Sequence, residues 1–121
     1  MDAIYEIQAE TIKTLANARR LEIIHVLATG PREVGRLAAE IGASQPNVSQ
    51  HLAVLKAAGI VEAERLGREI RYRLADPDVV VACDLMRGVL QRRLARLAGI
   101  SAPRQPQSSA AIETPLATLS R

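Results

Sequence analysis

The feature that most constrains this sequence is a pair of short amphipathic segments separated only by Gly42 and Ala43. Apolar residues recur at helical spacing in both segments: Val34, Leu37, Ala38 and Ile41 in the first, Val48, Leu52 and Leu55 in the second. Both stripes must be buried, and the connection between them is very short. The pattern therefore predicts a helix-turn-helix, whose second helix enters the major groove of DNA.

The second segment, from about Ser44 to Ala57, has the composition of a helix that enters a groove. A serine can cap its first turn, a following proline is tolerated there, and a glycine ends it. At about 100° per residue, the outward face is uncharged, with Ser49 at its flank: Pro46, Asn47, Gln50, Ala53 and Val54. Short polar side chains suit contact with base edges. Lys56 is the only charged residue of the segment, and it is a further candidate for DNA contact.

The remaining pattern predicts a mainly α fold with a small β-hairpin wing, a winged helix-turn-helix of five helices. A first helix carries Ile4, Ile7, Thr11 and Leu15, a second follows Asn17 with Leu21, Ile24 and Leu27, and a fifth runs from near Asp76-Pro77 to about Leu97. Period-two alternation over residues 60–64 and 69–74 predicts the hairpin. Residues 1–99 form the predicted DNA-binding and dimerisation domain, and the proline-, serine- and glutamine-rich residues 100–121 a flexible tail.

Two arginines lie in the connection of the hairpin. Arg65 and Arg68 at such a tip can contact phosphates or enter the minor groove. The alternative is a solvated hairpin whose strands carry Glu–Arg cross-strand pairs. The two interpretations are compatible, because paired charges can line the strands while the arginines at the tip contact DNA.

The last helix carries two apolar rows: Val79, Cys83, Met86, Leu90, Leu94 and Leu97 in one, Ala82, Leu85 and Val89 in the other. A helix with two apolar rows packs on two sides, so we predict a homodimer formed through the first and last helices. A two-fold dimer would match a palindromic operator in double-stranded DNA. The single cysteine, Cys83, is interpreted as a packing residue, with a thiol sensor as the alternative.

Several classes of function find no support in the sequence. It has no phosphate loop, no nucleophile beside a base and no paired carboxylates in a glycine-rich setting, so no enzyme is predicted. One cysteine and two isolated histidines predict no metal site and no cofactor. No apolar stretch approaches the roughly 18 residues of a membrane span, and the start lacks a signal peptide, so we expect a cytoplasmic protein without a membrane partner. The net charge of +3 suits a polyanionic partner without establishing one.

Over about residues 4–97, the chain resembles the arsenic-repressor (ArsR/SmtB) family of bacterial winged-helix regulators. The resemblance rests on LANARRLEIIHVLATGP, EVGRLAAEIGASQPNVSQHLAVLKAAGIV, GREIRYRLAD and the long last helix, with SQPNVSQHLAVLKAAGIV the most specific part. It implies a homodimer that represses its own operon and dissociates when an inducer binds. It also implies that six residues lie near DNA: Ser44, Gln45, Asn47, Ser49, Gln50 and His51.

The chain departs from the sensing patterns of that family. The arsenic-sensing form has a Cys-x-Cys pair where this chain has Val34-Gly35-Arg36-Leu37. Asp76 and Asp78 align with two zinc ligands of the zinc-sensing form, but Val89 and Arg92 occupy the other two positions and cannot bind zinc. The persulfide-sensing form needs two cysteines. The resemblance therefore implies DNA binding without these sensors.

The sequence predicts a sequence-specific DNA-binding regulator that represses transcription until an unidentified inducer releases it. Two alternatives stay open. One is a winged-helix module that binds protein, although the second helix of the pair lacks the aromatic and Met anchors that protein interfaces favour. The other is a redox- or thiol-responsive repressor with Cys83 as its sensor, which requires an accessible thiol of lowered pKa.

Overall fold

The computed structural model describes residues 2–99, which form two compact units divided between Pro77 and Asp78. The first unit contains α1 (Asp2–Leu15), α2 (Ala18–Leu27), β1 (Arg32–Glu33), α3 (Val34–Ile41), α4 (Gln45–Ala57), β2 (Val61–Leu66) and β3 (Glu69–Leu74). The second contains α5 (Asp78–Leu97), which begins slightly later than the predicted Asp76-Pro77. The five predicted helices and the hairpin are confirmed, and the predicted tail at 100–121 lies outside the described residues.

Local side-chain chemistry fixes the starts of the helices that matter most here. The Asn17 side chain accepts a hydrogen bond from the Arg20 amide (3.1 Å) at the start of α2, and the Ser44 hydroxyl accepts one from the Asn47 amide (3.2 Å) at the start of α4. Gly42 ends α3 in the left-handed region (φ 69°, ψ 36°), which glycine adopts without a Cβ clash. The chain therefore turns directly from α3 into α4.

The strands form one antiparallel sheet in the order β1-β3-β2, so the wing has three strands rather than two. The sequence analysis missed β1, because two residues are too short to show alternation and their pairing depends on β3 (Arg32 with Tyr72). The hairpin also differs from the prediction. β2 extends to Leu66, and only Gly67 and Arg68 form the turn. Gly67 has a positive φ of 66°, which two-residue hairpin turns favour at their first central position.

The helices α2 to α4 and the sheet, residues 18–74, form what we call the winged-helix core. Its ten buried apolar residues are all aliphatic: Ile23, Ile24, Leu27, Leu37, Ala38, Val48, Leu52, Leu55, Ile60 and Val61. One prediction within α2 was wrong. Leu21 is 38% exposed, and Ile23 is completely buried instead. The inward face of α2 is therefore centred on Ile23, Ile24 and Leu27, a narrower stripe than the spacing indicated.

The terminal helices, each taken by itself, bury no residue. Four large apolar side chains of α1 are more than half exposed: Ile4, Tyr5, Ile7 and Ile12. In α5 the exposed set is Met86, Val89, Leu90, Leu94 and Leu97. None of the helices within residues 2–99 is both long enough and apolar enough to cross a membrane.

Candidate nucleic-acid interface

The α4 helix separates a buried face from an exposed polar face, as predicted. Val48, Leu52 and Leu55 are each completely buried. On the opposite side, Pro46, Asn47, Gln50, Ala53 and Val54 are exposed, and so is Ser49 at the flank. A rigid helix held by three buried side chains thus presents short, uncharged donors and acceptors to its surroundings. This is the chemistry required to contact base edges.

The remaining predicted residues of α4 lie along its two edges. Ser44, Asn47 and His51 follow each other at i, i+3 and i+7, which places them on one edge. Gln45, Ser49 and Lys56 occupy the opposite edge, and all three are exposed. Because the two edges of a helix lying in the major groove face the two phosphate backbones, both sets are positioned for backbone contact.

A groove of about 470 Å³ runs between one edge of α4 and the start of α2. Its lining residues are Asn17, Ala18, Arg19, Glu22, Ala43, Ser44, Asn47 and His51. Within it the Arg19 guanidinium contacts Glu22 (Nη1 to Oε1, 3.1 Å) and the carbonyl of Ile41 (3.4 Å). The sequence analysis did not identify the residues of α2. The available signal was Asn17-Ala18-Arg19-Arg20, a helix cap followed at once by two arginines.

His51 is part-buried at the edge of this groove. Burial lowers the pKa of its imidazole below the usual value, and the positive charges of Arg20 and Arg19 lower it further. The imidazole is therefore neutral at physiological pH and offers one N–H donor. The sequence analysis placed His51 near DNA by resemblance, and the structure places it among cationic side chains.

Some arginines of the wing form ion pairs and others do not. Arg73 forms cross-strand ion pairs with Glu62 (3.2 Å) and Glu64 (3.6 Å), as the hairpin pattern predicted. Arg68 lies in the turn at the tip and is exposed. The placement of Arg65 at the tip was wrong, because Arg65 lies within β2 opposite Ile70. Neither arginine forms an ion pair with another residue of 2–99.

Cys83 is half-buried in α5. Burial raises the pKa of its thiol, the Asp84 carboxylate raises it further, and the Arg87 guanidinium offsets part of the rise. A raised pKa reduces the thiolate fraction, which is the reactive species. Across the described part of the chain, no three His, Cys, Asp or Glu side chains are grouped closely enough to hold a metal ion.

Known proteins share both this sequence pattern and this fold. The family model for bacterial regulatory proteins of the arsR family matches residues 17–63, from the cap of α2 into β2. The HTH-type transcriptional regulator Rv0081 of Mycobacterium tuberculosis is 38% identical over 94 residues, which are 77% of this chain and 82% of the relative. Its crystal structure matches with a TM-score of 0.71 over 78% of this chain and 96% of that chain.

Two further structures extend the comparison. The homodimeric winged helix-turn-helix DNA-binding domain Mb0332 of Mycobacterium bovis, solved by NMR, is 37% identical with a TM-score of 0.70, covering 78% of this chain and 88% of its own. The transcriptional repressor BigR of Xylella fastidiosa is 34% identical with a TM-score of 0.65, covering 75% and 93%. The chain therefore belongs to the arsR family of bacterial winged helix-turn-helix transcriptional regulators.

Proposed function

We propose that this chain is a dimeric transcriptional repressor that inserts α4 into the major groove of a two-fold symmetric operator and places the tip of its wing on the adjacent backbone. The observation that carries the proposal is the exposed face of α4. It contains no acidic residue, and its polar side chains are short. A helix face that met only solvent would normally carry charged residues such as Glu and Lys.

Asn47 and Gln50 are the residues proposed to distinguish bases. Both are exposed, and each carries an amide that can donate and accept at the same time, the pattern that adenine presents in the major groove. Ser44, Gln45, Ser49 and Lys56 are proposed to hold the helix in register through phosphate and sugar contacts. Arg68 at the wing tip contributes sequence-independent affinity.

The apolar residues of α1 and α5 support a second copy of this chain as the partner. Nine large side chains on two helices remain exposed in the single chain. Exposed patches of this kind commonly mark interaction sites. A two-fold dimer also supplies two copies of α4, and two copies are what an inverted-repeat operator requires. The Mb0332 domain, which has the same fold, is a homodimer.

The proposed repressor does not sense metals through the positions its family uses. The stretch Val34-Gly35-Arg36-Leu37, where the arsenic-sensing form has its Cys-x-Cys pair, contains no thiol. Val89 and Arg92 of α5 replace two zinc ligands. A thiol sensor at Cys83 is disfavoured, because burial raises the pKa of the thiol. We therefore propose release by an organic inducer, with Cys83 as a packing residue and no bound cofactor.

Selection from a pool of random DNA duplexes tests this function without knowledge of the operator. We expect enrichment of an inverted repeat whose half-sites lie about one helical turn apart, on the order of 10 base pairs. The matched control is the Asn47→Ala, Gln50→Ala double variant, which should bind the pool at low salt and enrich no sequence. Failure of the unmodified protein to enrich any sequence, with DNA binding intact, would refute sequence-specific repression.

A further inference from the structure

We infer that the groove between α2 and α4 binds one phosphate of the DNA backbone, with the Arg19 guanidinium as its cation and the His51 imidazole as an N–H donor. The inference rests on the proposed function, since it requires α4 to lie in the major groove. It adds α2 to the DNA-contacting elements and assigns a role to residues outside the helix-turn-helix and the wing.

The groove lies along one edge of α4. A helix that fills the major groove, about 12 Å wide, has a sugar–phosphate backbone along each edge. Ser44, Asn47 and His51 form one of these edges, and they are also the residues through which α4 lines the groove. Asn47 belongs both to this edge and to the exposed polar face. A phosphate in the groove would therefore lie next to the bases that α4 contacts.

Positive charge is concentrated at the start of α2. Positive side chains are unfavourable near a helix N-terminus, where the backbone dipole is already positive. Yet the first turn of α2 contains Arg19 and Arg20 and no acidic residue. The Nε atom of Arg20 is buried without a hydrogen-bond partner within residues 2–99. Arg20 does not line the groove, so a phosphate there would compensate the positive charge of the Arg19 guanidinium and of the helix terminus.

When DNA is absent, the Glu22 carboxylate neutralises the charge of the Arg19 guanidinium. This carboxylate lines the same groove and holds the Arg19 guanidinium at 3.1 Å. Both side chains are partly exposed, 34% for Arg19 and 53% for Glu22, and exposed pairs of this kind are weak. A phosphate can therefore replace the carboxylate as the partner of Arg19. Glu22 then opposes binding, because it places a negative charge beside the incoming phosphate.

The test measures the affinity of full-length protein for a mixed-sequence 30-base-pair duplex between 50 and 200 mM salt, by fluorescence anisotropy. Each phosphate contact contributes about 0.9 to the slope of log affinity against log salt. Arg19→Gln should lower that slope by about 0.9 per chain and weaken binding at 50 mM salt. Arg19→Lys should keep the slope, and Glu22→Gln should tighten binding.

Lys13→Gln is the control, because it removes one positive charge from an exposed position of α1 outside the groove. An unchanged slope in Arg19→Gln, or an equal loss in Lys13→Gln, would overturn the inference. Circular dichroism verifies that each variant is folded, and the Arg19→Lys and Glu22→Gln variants test the inference even if Arg19→Gln is unstable. If the unmodified protein does not bind the duplex at all, the proposed function itself fails. If it binds and only the expectations for Arg19 and Glu22 fail, the proposed phosphate site is wrong and the proposed function stands.

Discussion

In the winged-helix core, ten aliphatic side chains are buried, each with no more than 7% of its surface exposed. In α1 and α5 no residue is buried, and nine large apolar side chains there are at least half exposed. The two regions belong to one chain and have similar aliphatic compositions. Within residues 2–99, only the winged-helix core buries a set of apolar residues inside a single chain.

This difference in burial indicates different roles for the winged-helix core and the terminal helices. The winged-helix core closes without any aromatic residue in its interior, so its stability depends on the fit of Leu, Ile and Val side chains. This close packing holds α4 in place, and with it the exposed face that is proposed to contact bases. The terminal helices leave apolar surface uncovered, and a second chain would cover it. We therefore assign DNA contact to the winged-helix core and assembly to α1 and α5.

The largest expected effect follows from a charge placed on the exposed face of α5. Leu94 is 63% exposed, and Leu94→Glu should convert the dimer to a monomer with the helical content unchanged. Loss of the second copy of α4 should reduce operator affinity by roughly 10²–10⁴-fold, the usual gain from bivalent binding. Sedimentation velocity and gel shift measure the two effects. Arg92→Gln makes the same change of charge about 160° around the helix. It should leave the oligomeric state and the operator affinity unchanged.

A second substitution contrasts a covered leucine with an uncovered one. Leu52 is completely buried, and Leu52→Ala should lower the free energy of unfolding by about 2–5 kcal/mol at every protein concentration. Leu90 is 51% exposed, and Leu90→Ala should act mainly by raising the dimer dissociation constant. Urea denaturation at several protein concentrations distinguishes them. Equal, concentration-independent losses in both variants would contradict the separation of tasks.

Within the DNA-contacting surface, α4 should provide specificity and the wing should provide sequence-independent affinity. Gln50→Ala and Asn47→Ala should each reduce discrimination between operator and mismatched DNA by about 1–3 kcal/mol. Arg68→Ala should weaken binding to all sequences alike and lower the salt slope by about one. Competition binding with matched and mismatched duplexes measures both. Altered specificity in Arg68→Ala together with unchanged specificity in Gln50→Ala would reverse the assignment.

A smaller effect is expected at His51. In the free protein its pKa should lie below the usual value of about 6.5, because of burial and the charges of Arg20 and Arg19. The negative charge of a bound phosphate should raise that pKa against the charges of Arg20 and Arg19. DNA binding then takes up a proton, so affinity should rise as the pH falls through the window between the bound and free pKa values. NMR titration of the His51 imidazole with and without DNA tests whether binding raises its pKa. His51→Gln is the control, because it should remove this pH dependence of affinity.

Cys83 should contribute the least. Because burial raises the pKa of its thiol, peroxide or a persulfide donor should leave operator binding of the unmodified protein unchanged, and Cys83→Ser should behave the same. Gel shifts before and after treatment provide the measurement. Release of DNA by an oxidant that Cys83→Ser abolishes would instead identify the thiol as the sensor.

The sequence predicted those parts of the fold whose determinants are local. The inward stripe of α4, its serine cap and the glycine before it each depend on residues within a few positions, and all were confirmed. The strand β1 depends on pairing with β3, about 40 residues away, and has no local periodicity. The groove was missed for the same reason, because Arg19 and His51 approach each other only after α2 and α4 pack. Arg65 was misplaced because the length of β2 depends on its register with β3.

The most direct test of the separation of tasks is the stoichiometry of the protein on its selected operator, measured by sedimentation equilibrium with fluorescently labelled DNA. We expect two chains per duplex for the unmodified protein. Leu94→Glu and the Asn47→Ala, Gln50→Ala double variant should fail in different ways: the first as a folded monomer, the second as an intact dimer without sequence preference. A single chain bound per operator with full affinity and specificity would contradict the account.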